Sequence, residues 1–231
     1  MEYNLLMRND DLLNNPTTRL PICLCLDVSG SMAGAPIDEL NQAVKLFYDE
    51  IRNDEIAVDS AEICIITFGS KVECLADFAT LEVQPYAPHL YAEGRTLMGE
   101  AVNMGLEFLD QRKSEYKAKG VDYYQPWLVL MTDGGNNGNP GELDRAMGRT
   151  QQLVMQNKLT VFPLAVGGGA DANTLQQFSP THPVLRMNGL RFKEFFKWLS
   201  KSVSKVSQSS PGEQIDFFKN LKIDGWDNPF A

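Results

Sequence analysis

Apolar residues recur along this chain in two rhythms. Short apolar runs at residues 21–26, 61–68, 126–131 and 160–166 are bounded by turn residues, and between them lie longer stretches whose apolar positions return every three or four residues. Alternation of the two is the pattern of a parallel sheet with helices on both faces. The runs at 21–26, 61–68 and 126–131 are apolar at nearly every position, as strands covered on both faces must be. A run at 71–75 reads as a short hairpin partner at one edge, and 184–187 as a weak sixth strand.

The helical rhythm predicts the covering layers. Pro36 opens a helix whose Ile37, Leu40, Val44, Phe47 and Ile51 form one stripe, with Asp38 and Glu39 suited to its positive end. Residues 96–119 carry Leu97, Ala101, Met104 and Phe108 in the same spacing, and Gly120 stops them. Leu143, Met147 and Val154 mark a third helix over 140–157, while Phe192, Phe195, Phe196, Leu199, Val203 and Val206 define a strongly amphipathic last one. The expected fold is α/β: a doubly wound, mostly parallel, Rossmann-like sheet flanked by helices, with a short antiparallel edge strand.

That domain should span residues 20–206, between an N-terminal extension (1–19) and a C-terminal tail (207–231). Residues 1–20 are expected to be loosely ordered, as chain ends often are. The tail begins Ser209-Ser210-Pro211-Gly212, a boundary signal, yet continues through Phe217, Phe218, Leu221, Trp226 and Phe230. Those aromatics are expected to fold back onto the domain, the alternative being a docking peptide for another protein.

Charge and cysteine content narrow the function. Thirty acidic against 21 basic residues leave a net charge of −9, and no basic run offers a stripe for phosphates, so nucleic acid is an unsuitable partner. The polar, acidic start lacks the flank and apolar stretch of a secretory signal, and no run is long enough to cross a bilayer; the expectation is a cytoplasmic chain without a membrane role. Cys23, Cys25, Cys64 and Cys74 lie in or beside strand-like runs without any Cys-x-x-Cys spacing, and read as buried reduced thiols. His89 and His182, each in a Pro-flanked loop, complete no zinc ligand set.

The chemistry gathers at strand ends. The first strand closes on Asp27-Val28-Ser29-Gly30-Ser31, delivering a carboxylate and two hydroxyls to the carboxyl edge of a central strand, where open α/β sheets bind ligands. The fourth ends Thr132-Asp133-Gly134 at that same edge, and Thr96, in Gly94-Arg95-Thr96 after a long loop, can present a third hydroxyl. Capping is the plainer role for each; but the helix after the first strand begins at Pro36, too far on to need three polar caps, whereas Thr96 alone could be an ordinary N-cap. Together Asp27, Ser29, Ser31, Thr96 and Asp133 offer hard oxygen donors alone, a set suited to Mg²⁺, with Mn²⁺ and Ca²⁺ as the other fitting ions.

In this order and spacing, the Asp-x-Ser-x-Ser, Gly-x-Thr and Thr-Asp-Gly elements resemble the metal-ion-dependent adhesion site (MIDAS) of the von Willebrand factor type A (VWA), or integrin I-like, family, over residues 20–205. Leu26-Asp27-x-Ser29-Gly30-Ser31-Met32 and Ile66-Thr67-Phe68 are most similar to bacterial stand-alone TerY-like tellurium-resistance proteins. The resemblance implies that Ser29, Ser31 and Thr96 touch the metal, and that Asp27 and Asp133 act partly through water. An ion held by neutral hydroxyls keeps much of its charge, so an Asp or Glu of a partner protein is the natural occupant of its open position. It further implies a scaffold or regulator beside a protein kinase and a phosphatase in a bacterial stress system, and no catalysis. Two features depart from that pattern: Arg95 stands where many relatives carry a small residue, and nothing in these 231 residues supplies the cysteine-rich zinc module that some relatives carry.

Enzyme readings fare less well. A haloacid dehalogenase-like, Mg-dependent phosphohydrolase also places an Asp after its first strand, but needs an acid two residues on, where this chain has Ser29. No Gly-x-x-x-x-Gly-Lys loop exists, Gly167-Gly168-Gly169 reads as a turn, and Ser29 lacks the glycine of a nucleophile elbow. A structural VWA domain with a non-functional metal site remains the other alternative.

Overall fold

The computed structural model describes residues 2–210, 213 and 226–227. Among them the chain runs α1 (Glu2–Asn14), β1 (Leu20–Asp27), a 3-10 turn (Gly30–Met32), α2 (Ala35–Arg52), α3 (Ala57–Ser60), β2 (Ala61–Phe68), β3 (Val72–Ala76), α4 (Met98–Lys119), β4 (Trp127–Thr132), α5 (Pro140–Met155), β5 (Thr160–Val166), α6 (Ala172–Phe178), β6 (Leu185–Met187), α7 (Phe192–Ser207) and β7 (Trp226–Asp227). The strands of the described residues form one sheet in the order β3-β2-β1-β4-β5-β6-β7. Pairing is parallel from β2 through β6, while β3 and β7 run antiparallel at the two edges. The aromatic tail around Phe217, Phe218, Leu221 and Phe230 lies outside the described residues.

Strand alternation sorts β1 onto two cores. Leu20, Ile22, Leu24 and Leu26 face the layer of α2 and α7, where Phe47 meets Phe196 with ring centroids 5.6 Å apart and every apolar residue of the α7 stripe is buried. Cys23 and Cys25 face the other layer, beneath α4, α5 and α6. Their sulfurs sit 3.9 Å apart, and Cys23 lies beside Cys64 of β2 in register. All four cysteines are free thiols; Cys74 is half-buried rather than buried, because β3 is an edge strand with one side open.

Gly99 allows α4 and α5 to close over that layer. A Cβ there would lie 2.4 Å from the Leu143 amide nitrogen and 2.5 Å from its Cα. Backbone cannot retreat as a side-chain tip can, so Gly99→Ala is expected to destabilise the protein by about 1–3 kcal/mol. A urea titration checks this; an unchanged midpoint would mean the two helices separate freely.

The expectation of a loose N-terminus is corrected. Residues 2–14 form α1, and the opposite, amino edge of the sheet carries a buried ionic cluster that holds it. Arg112 grips Glu62 through two nitrogens, at 2.6 and 2.8 Å, and the Tyr116 hydroxyl donates to the same carboxylate at 2.7 Å. Arg19, fully buried, lies 3.7 Å from Glu62 and 3.2 Å from the Asp11 carboxylate, and donates to the Asp11 and Asn15 carbonyls at the end of α1. Arg8 pairs with Asp77 and Glu115, so α1 is tied to residues beyond β3 and in α4. These partners are distant in sequence, which is why local apolar rhythm gave no sign of a helix there.

Candidate functional site

Strands β1 and β4 are neighbours, and the chain leaves them in opposite directions across the sheet, which opens a crevice at their carboxyl ends. Asp27 ends β1 at its floor, 1% exposed, with Ser29 beside it at 2%. One Asp27 oxygen accepts from the Ser29 amide at 2.8 Å, and the other from the Thr132 hydroxyl at the end of β4. Burial pushes the Asp27 carboxyl above its ordinary pKa; the Ser29 and Thr132 hydrogen bonds oppose that rise, and Asp133 adds to it.

From this floor a run of oxygens reaches the surface. The hydroxyls of Ser29 and Ser31 lie 3.1 Å apart, and exposed Ser31 donates to Asp133 Oδ1 at 2.8 Å. Neither serine oxygen caps a helix: the turn at 30–32 has no side-chain cap, and α2 starts only at Ala35. The wall is Thr96, 5% exposed, whose hydroxyl would lie 3.9 Å from a Cβ placed on Gly134. All five residues expected from the sequence therefore converge on one crevice.

The capping role open to Thr96 is filled by others. Its amide donates to the Asn137 side chain at 2.7 Å, its carbonyl accepts from the Asn137 amide at 3.0 Å, and Met98 at the start of α4 donates to the Asn136 side chain at 3.1 Å. Asn136 and Asn137 are thus supporting residues that motif reading missed, in an Asn/Gly stretch whose composition reads only as a turn, while Thr132, read only as part of the Thr-Asp-Gly element, takes a supporting role through Asp27. On the other side, Gly30 donates to the Gly94 carbonyl at 3.0 Å and Glu93 to the Val28 carbonyl at 2.7 Å, binding the long loop to the β1 turn. Gly94 stands at φ +75°, and a Cβ there would meet the Ser70 hydroxyl at 1.7 Å, so the motif glycine is demanded twice over. Arg95 projects from the rim, its guanidinium donating to the Asn137 carbonyl at 3.0 Å.

Among the described residues, no group of three or more His, Cys, Asp or Glu side chains is arranged to hold a metal ion. The crevice is of another kind, with two carboxylates and three hydroxyls converging. The donors are all hard oxygens, a set that fits a small divalent cation and not a soft one.

Comparison with known proteins agrees with this frame. The model of the von Willebrand factor type A domain family matches residues 22–197. An uncharacterized Synechocystis protein, sll0103, is 26% identical over 164 residues, or 68% of this chain and 35% of that protein. The chain thus spans about a third of that relative's length. Among solved structures, the vWF domain of the type V pili tip protein Mfa5 from Porphyromonas gingivalis aligns over 86% of this chain and 99% of its own, at 12% identity and a TM-score of 0.59. Proximal thread matrix protein 1 from the mussel byssus, in a structure with a zinc-occupied MIDAS motif, aligns over 81% of this chain and 48% of its own, at 21% identity and a TM-score of 0.55. At such identities these structures speak for the fold, and the family match over residues 22–197 settles the rest: the chain belongs to the von Willebrand factor type A domain family.

Proposed function

We propose that Asp27, Ser29, Ser31, Thr96 and Asp133 hold a magnesium ion, and that the ion's open side takes a carboxylate from a partner protein. The observation that carries this reading is the run of oxygens from Ser29 through Ser31 to Asp133, with no capping duty to explain it. Both Asp27 oxygens are engaged, by the Ser29 amide and the Thr132 hydroxyl, so Asp27 orients the serines from beneath. Ser31, exposed, and Asp133, at the mouth, would then face the ion directly or through water, with Thr96 completing the wall. A bound ion supplies Lewis acidity for one more oxygen ligand; the chain supplies the geometry. The zinc-occupied MIDAS motif of the mussel protein supports a divalent ion at such a crevice.

The crevice offers no acid two residues after Asp27, which favours binding over phosphoryl transfer. By likeness to TerY-like chains the partner is a component of a kinase and phosphatase signalling assembly, with this domain as scaffold. Isothermal titration with Mg²⁺ tests the site. Wild-type protein should bind weakly, and Asp27→Ala, which removes the group orienting the serines, should lose about 10–100-fold in affinity. If the two proteins titrate alike, the assignment is wrong.

A further inference from the structure

The loop from residue 77 to 97 is long, yet it is held at many points. Leu90, 1% exposed, is clamped by Asn41, whose side chain accepts from its amide at 2.8 Å and donates to its carbonyl at 2.9 Å. Ala87 and Ala92 pack against the core, Arg52 donates to the Pro85 carbonyl, and Pro85 and Pro88 restrict the backbone between. The Glu93–Val28 and Gly94–Gly30 hydrogen bonds then weld its end to the turn carrying Ser29 and Ser31. On this fixed support Tyr91 stands 74% exposed, with His89 against its ring edge-on at a centroid distance of 4.7 Å.

A ring 74% exposed adds little to the buried core. Rings on such supports give much contact area for little lost conformational freedom, which is why they anchor protein interfaces. Tyr91 is two residues from Glu93, so the shelf begins within about 7 Å of the backbone bonded to Val28. An extended segment with one residue at the crevice would lay a side chain two or three positions away against it. Charge adds no competing preference: exposed Glu93 and Arg95, on either side of Gly94, offset each other, so a run of acids gains nothing over one.

Resting on the metal-site reading above, we propose that His89 and Tyr91 form an aromatic shelf for the partner. Its occupant is a protein segment bearing a single Asp or Glu with an aromatic residue a few positions away. Random peptides displayed on phage and selected on the immobilised full chain in Mg²⁺, with EDTA elution, supply the probe. Recovered peptides should pair one acid with a nearby aromatic. Synthetic copies should bind Tyr91→Ser about tenfold more weakly than wild type. Tyr86→Ser, which removes another exposed ring of the same loop outside the shelf, should leave binding unchanged, and both variants should keep wild-type melting and Mg²⁺ affinity. EDTA-sensitive peptides that lack an aromatic preference, or that bind Tyr91→Ser as well as wild type, would overturn the shelf and leave the metal site standing. Failure to recover any EDTA-sensitive peptide would overturn both.

Discussion

Glu62→Ala should lower the free energy of unfolding by about 3–5 kcal/mol, the largest single loss expected for this chain. The side chains of Glu62 and Arg19 are fully buried and that of Arg112 is 1% exposed, so removing the carboxylate takes from two guanidinium groups the buried charge between them, leaving Arg112 with Glu115 and Arg19 with Asp11 and backbone carbonyls. It also leaves the buried Tyr116 hydroxyl without its acceptor. Changing both members of the tightest pair, Glu62→Leu with Arg112→Met, should recover much of the loss, because an apolar pair avoids the cost of burying charge that a broken pair retains. Denaturant titrations of the single and double variants near neutral pH check both statements. A loss below about 1 kcal/mol for Glu62→Ala would mean that the cluster is hydrated.

Alkaline pH should unfold the protein over a narrow range. The hydrogen bond with Cys25 pulls the Cys23 pKa down, but the contact with Cys64 and burial carry it well above the ordinary 9.0; Cys25 is pushed well up by its bond with Cys23 and by burial, and Cys64 by burial. Burial, with Glu62 nearby, raises Tyr116 well above 10.0, and Tyr48 is raised too. Each group holds its proton in the fold after the unfolded chain has released it. The stability they contribute is therefore complete below the unfolded values and drains away as pH rises through them. Unfolding free energies from urea titrations should hold level to about pH 8 and then fall, by up to about 1.4 kcal/mol per pH unit for each group that has titrated in the unfolded chain. Cys64→Ala should flatten the early part of that fall. Free energies level to pH 11 would contradict the burial of these groups.

How much of this was legible in the sequence differs by element. The strands at 61–68 and 160–166 were readable to the residue, and β1 and β4 to within one, because a strand covered on both faces announces itself by apolarity at nearly every position. The convergence of the candidate residues was legible for a related reason: Asp27, Ser29, Ser31 and Asp133 follow directly from strand ends whose place in the sheet periodicity supplies. What failed were elements whose support comes from elsewhere. Helices α3 and α6 are too short to show a period, β7 is two residues long, and α1 depends on charge partners across the fold. Thr96 shows the same limit at the site, since its release from capping is due to Asn136 and Asn137, some 40 residues away.

The attachment of α1 also bears on how the chain is made. Arg8 precedes its partner Glu115 by 107 residues, and Arg19 cannot bury its charge until Glu62 is in place. At ordinary rates of synthesis α1 must wait roughly 5 to 20 s for the last of these partners to be translated. Through that interval its charged groups lack their folded partners, so it can be locked in place only after β1 to β3 and most of α4 have been made. The earliest of these segments to emerge from the ribosome is then among the last to settle, and slowing translation between residues 20 and 115 would lengthen its exposure to proteases without touching the final fold.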